Sequence, residues 1–123
     1  MMISREQFEE HIATALESLP QPIKERLENV DVLVAMWPTR EQLQQQGIRS
    51  KYGLLGLYEG VPLTERGSHY GMVLPDRITI FQGPLEAISG DEAQIEREIR
   101  HTVVHEVAHH FGIGDAQLRA WGY

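Results

Sequence analysis

Residues 101–115 read His-Thr-Val-Val-His-Glu-Val-Ala-His-His-Phe-Gly-Ile-Gly-Asp and contain the pattern H-E-x-x-H-x-x-G-x-x-D. His105 and His109 are four apart, so on a helix they lie about 40° apart around the axis and one turn apart along it. Two imidazoles on one face can ligate a single Zn²⁺ at about 2.0–2.1 Å each. Glu106 follows the first of them, where it can lean over a water on the metal without binding the metal itself. Gly112 breaks the helix, and Asp115, three residues later, is placed to supply a third, oxygen ligand. The predicted chemistry is zinc-assisted hydrolysis. The metal acidifies water and polarises a carbonyl, while Glu106 takes the proton and returns it to the leaving group.

Each of these residues also has a plainer reading. His101, His105 and His109 form a ladder, but its outer members lie about 12 Å apart along a helix, too far for one ion to bridge. His101 is therefore expected beside the metal or on the helix surface, and His110 points about 100° away from His109. Asp115 could equally N-cap a final short helix. Without it, zinc would have two protein ligands where catalytic sites use three. Glu106 is not needed to hold a metal, and a carboxylate turned towards a helix interior carries a desolvation cost. Its presence there argues for turnover.

The composition narrows the classes. At 123 residues the chain is one domain, 1–123, with a modest core. A net charge of −7 offers no basic face to nucleic acid. The absence of cysteine excludes disulfides, thiolate zinc sites and thiol catalysis. Glu6, Glu9, Glu10 and Glu17 are incompatible with a secretory signal, and no apolar run is long enough to span a membrane. A cytoplasmic location is the expectation, with peptide or unfolded protein as the substrate and a monomer compatible with the chain but its oligomeric state left open.

The elements that must position the site are legible in outline. Ser4 and Gln7 form a capping box and Ile3 with Phe8 a staple for a first helix whose stripe is Phe8, Ile12, Ala15, Leu16 and Leu19. Pro20 and Pro22 end it and start a short turn of helix through Leu27. Residues 30–36, nearly all apolar, predict a central strand. Thr39 and Gln42 cap a polar helix that closes near Gly47, and residues 53–59 predict a second strand. A long loop, with room for a hairpin arm, is expected over 60–76. Residues 77–81 alternate as a third strand, taken as the edge against which a peptide is added. Gly83-Pro84 is read as a turn, and Ser89 or Asp91 as the cap of a long helix to Phe111 whose core stripe is Ile95, Ile99, Val103, Val107 and Phe111. A last short helix covers 115–121.

The H-E-x-x-H-x-x-G-x-x-D pattern resembles the zincin metallopeptidases, and its Gly-x-x-Asp ending is similar to metzincin-type enzymes in which Asp replaces a third His. Residues 54–66, 75–79 and the Gly122-Tyr123 pair resemble a family of small bacterial minimal zincin-like proteins with a reduced matrix-metalloprotease-like fold. The resemblance implies an α+β, zincin-like domain: a small, mostly three-stranded sheet packed with the N-terminal helix and the long active-site helix. It implies His105, His109 and Asp115 as Zn²⁺ ligands and Glu106 as the base. Metzincins place a methionine-containing turn beneath the metal. The eight residues after Asp115 contain no Met, so that wall of the pocket must be absent or supplied otherwise. Tyr123, Tyr70 and His69 are candidate oxyanion donors, and Glu59 with Arg66 a candidate ion pair beside the cleft. The rival functions are a non-catalytic zinc-bearing interaction module and a zinc hydrolase of a non-peptide amide or ester.

Overall fold

A computed structural model describes residues 2–60 and 75–123. The chain opens with helix α1 (Arg5–Glu17), whose capping box is complete: Ser4 accepts from the Gln7 N–H, and the Gln7 side chain accepts from the Ser4 N–H. Phe8, Ile12 and Ala15 are buried along one face. Helix α2 (Gln21–Arg26) carries Pro22 in its first turn, where the missing N–H has no partner to lose. Strand β1 (Val30–Ala35) and helix α3 (Arg40–Gln45), with its own Thr39–Gln42 capping box, follow.

A 3₁₀ turn at Lys51–Gly53 then leads into strand β2 (Gly56–Glu59), so the second strand starts three residues later than its glycines suggested. Strand β3 (Asp76–Phe81) runs directly into helix α4 (Gln82–Ile88). The Gly83-Pro84 pair thus lies inside a helix rather than forming a turn. Pro84 is tolerated there because it falls in the first turn. Gly83 is required because the Trp37 ring lies 2.6–2.7 Å from where a Cβ would stand. Helix α5 (Glu92–Phe111) is N-capped by Asp91, whose carboxylate accepts from the Gln94 N–H at 2.7 Å, and ends at Gly112 with φ +68°. Helix α6 (Asp115–Ala120) closes the described chain.

The sheet order is β1-β3-β2, with β1 parallel and β2 antiparallel to β3. This reverses two sequence expectations: β3 is central, and β1 lies at an edge. The physical reason is burial on both faces. From Ile78 to Phe81 every residue of β3 is buried, Thr79 included, whereas Leu33 in β1 is 45% exposed. Ile78 and Ile80 face the main core with α1, α5 and Tyr58. Phe81 joins Leu54 and Leu57 in a second cluster on the other face. Fully burying each such side chain contributes about 1.5–3 kcal/mol.

On α5 the predicted stripe is buried from Ile95 to Val107 and widened by Thr102, Val104 and Ala108. Phe111 departs from it. At 44% exposure it lies over Tyr58 and under the Arg26 guanidinium instead of in the core.

Candidate active site

With α5 fixed by its buried stripe, the opposite face carries His101, His105 and His109, all exposed. The His101 and His105 rings stack at 4.3 Å, 7° from parallel, and His105 Nδ1 lies 2.8 Å from the His101 carbonyl oxygen. A carbonyl only accepts, so Nδ1 carries the proton and donates. The lone pair is thereby placed on Nε2, the arrangement that metal-ligating histidines adopt when the other ring nitrogen is tied to a carbonyl.

Glu106 lies between α5 and the sheet edge, half-buried, and accepts from the Tyr58 N–H at 3.1 Å. Burial pushes its carboxyl above the ordinary carboxylate range. The Tyr58 N–H bond and the nearby His109 and His105 rings oppose that rise.

The Phe81 N–H donates to the Leu55 carbonyl, so along β2 it is Leu57 and Glu59 that exchange hydrogen bonds with β3. Gly56 and Tyr58 carry their backbone groups on the opposite side, facing α5. Gly56 permits this approach: a Cβ there would stand 2.6 Å from the Thr102 methyl. Among the described residues, then, the edge strand beside the motif is β2, not 77–81.

A second cluster lies past the histidine pair. The Tyr58 hydroxyl donates to Asp76 Oδ2 at 2.8 Å, the His110 ring stacks on Tyr58 at 4.0 Å, and His110 Nε2 is 3.9 Å from the same oxygen. The cluster joins β2, β3 and the end of α5 around the strand that holds Glu106. Spacing alone gave no sign of it. The available signal was that Tyr58 and Asp76 both fall in the stretches bearing the family resemblance.

Asp115 is the first residue of α6, and Gly114 occupies the N-cap position, so the capping role open to Asp115 belongs to its neighbour. Asp115 is exposed. Among the described residues no three His, Cys, Asp or Glu side chains are already gathered closely enough to hold a metal ion. The two imidazoles share a helix face, and the carboxylate enters from the helix after the Gly112 turn. In donor type, and in the Nδ1 anchoring of His105, these residues fit zinc. Glu59 pairs with Arg77 at 3.6 Å. Arg66, His69, Tyr70 and the expected hairpin arm lie outside the described residues. Tyr123 packs against the main core.

A long H-E-x-x-H helix under a three-stranded mixed sheet, with a strand edge beside the motif, is the architecture of a zincin-like α+β domain. The family model described as zincin-like metallopeptidase matches residues 27–123, and the chain belongs to that family. It is also similar to a conserved hypothetical protein from T. thermophilus. The sequences are 25% identical, the match covers 89% of this chain and 94% of that one, and the TM-score is 0.53. No curated protein matches the chain. Among the described residues no helix is long and apolar enough to cross a membrane.

Proposed function

We propose that the chain is a zinc-dependent peptidase, with His105, His109 and Asp115 holding the ion and Glu106 as general base. One observation carries the reading. Glu106 is held by the Tyr58 N–H at the junction of the strand edge and the histidine face, where a base for peptide hydrolysis has to stand. A bound Zn²⁺ would supply Lewis acidity towards a carbonyl and a lowered pKa for water.

The chain's own residues do the rest. An extended peptide laid beside β2 meets the backbone groups of Gly56, in the strand-addition mode of recognition. The Glu106 carboxylate takes a proton from the attacking water and delivers it to the leaving amine.

The test begins with metal content. About one zinc per wild-type chain, sharply reduced in His109→Ala and in Asp115→Ala, supports the ligand set, whereas zinc kept by Asp115→Ala removes that residue from it. A peptide mixture cut by the zinc-loaded wild type and left intact by Glu106→Gln supports the base. An uncut mixture favours a binding module or a non-peptide substrate.

A further inference from the structure

Beside Glu106, on the amino-terminal side of the histidine pair, α5 and the entry to β2 enclose a cleft of about 340 Å³. Its strand-side wall is mostly apolar, built from Ile48, Leu54 and Leu55 with the polar Gln46 beside them, and its helix-side wall carries Glu98 and His101 and runs up to Glu106. Glu98, His101 and His105 follow one another on one helix face at spacings of three and four. Glu98 thus closes the end of the cleft, about 10 Å along the axis from His105. It is half-buried, and among the described residues no lysine or arginine lines the cleft and no hydrogen bond or ion pair engages its carboxylate.

We infer that this cleft is a specificity subsite for a lysine or arginine side chain next to the cleaved bond, with Glu98 as the residue that selects it. The inference rests on the peptidase reading for the position of the bond, but it makes its own claim about binding. A substrate strand along β2 delivers a side chain into the cleft every second residue. A lysine stem of about 6 Å covers about half of the roughly 12 Å of helix axis between Glu106 and Glu98, and the Glu98 side chain lines the cleft to meet it. The lysine methylenes then cover Leu54 and Leu55 while the ammonium reaches a carboxylate that has no other cation among the described residues. A norleucine or leucine chain would fill the same apolar wall and leave Glu98 desolvated and unpaired, which penalises it. The net charge of −7 adds a long-range attraction for cationic peptides.

The experiment measures anisotropy of two fluorescein-labelled octapeptides, identical except for a central lysine or norleucine, with the full zinc-loaded chain carrying Glu106→Gln to prevent turnover. The lysine peptide is expected to bind at least tenfold tighter. Adding Glu98→Gln should bring the ratio near one, and Glu98→Lys should shift preference to a glutamate-centred peptide. Equal affinities, no binding of either peptide, or a lysine preference that survives Glu98→Gln each overturns the subsite.

Mapping the cuts made by the zinc-loaded wild type in a peptide mixture separates the two claims. Cuts flanked by lysine or arginine support both. Cuts without that preference keep the peptidase and overturn the subsite. A Glu98-dependent lysine preference with no cleavage keeps the subsite and overturns the peptidase.

Discussion

Histidine is used in opposite ways at the two ends of α5. At its amino-terminal end, His11 of α1 is clamped between Glu92 and Glu96, with ring nitrogens 3.0 and 2.8 Å from their carboxylates. Both nitrogens are occupied, the ring is mostly buried, and the residue fastens one helix to another. At the carboxyl-terminal end, His105 has one nitrogen tied to a backbone carbonyl and its ring exposed, and His109 beside it is exposed as well. A histidine with both nitrogens spent on carboxylates is a structural cation. One with its Nδ1 proton fixed, and with no partner for Nε2 among the described residues, has the arrangement that the proposed ligand role needs. Residue type alone separates nothing here. What separates the two ends is whether the second nitrogen has been given a partner.

The largest effect that would sharpen this contrast is expected from Glu106→Gln. Turnover should fall by about 10²–10⁴-fold, the usual worth of a positioned base. Thermal stability should hold or rise slightly, because a half-buried carboxylate is replaced by a neutral isostere that still accepts from the Tyr58 N–H. Full activity in the variant would falsify the assignment, and a large loss of stability would make Glu106 a structural residue like His11.

A smaller effect is expected from Gly56→Ala. Its Cβ would press on Thr102, a β-branched side chain with little rotamer freedom in a helix, at a cost of about 1–3 kcal/mol. The strain should move β2 off α5, lengthening the Tyr58 N–H bond to Glu106. Chemical denaturation gives the stability loss, and faster amide exchange at Tyr58 reports the strand. A variant with wild-type exchange at Tyr58 would show that β2 does not need this close approach.

How much of the fold and of the site is legible in the sequence follows from where the information resides. Helix starts are local, so Ser4 with Gln7, Thr39 with Gln42, and Asp91 are readable in the residues themselves. The spacing of His105, Glu106 and His109 is equally local, and the structure places Glu106 and both histidines around one corner of α5. Strand order is not local. Val30–Ala35 is more uniformly apolar than Asp76–Phe81, yet the latter is central, because Thr79 and Phe81 are covered by a second cluster that includes Leu54 and Leu57. Gly83-Pro84 misleads for a similar reason: the glycine answers to Trp37, 46 residues earlier, rather than to a turn. The Tyr58–Asp76–His110 cluster joins three separate elements, and no periodicity within one of them could announce it. Phe111 falls at the right period for the core stripe, but it sits where the helix ends and the core has run out.

The smallest effect, and the one that isolates the structural histidine, is expected at His11. Its pKa is raised above 6.5, chiefly by the hydrogen bond to Glu92 and further by Glu96, against a lowering by burial. A folded-state pKa above the unfolded value contributes stability that is fully present below about pH 6.5 and is lost as pH rises through the folded pKa. The wild type should therefore lose this contribution as pH rises from about 6.5 through the folded-state pKa. The size is modest because Glu92 is 49% exposed and its share is screened. His11→Gln removes the titration while keeping a polar side chain, so the difference in urea midpoint between wild type and variant should shrink across that range. High salt should shrink it at the acidic end. A midpoint difference that stays flat, or grows with pH, would mean that His11 is held by packing alone, and the contrast between the two ends of α5 would have to rest on the exposure of His105 and His109.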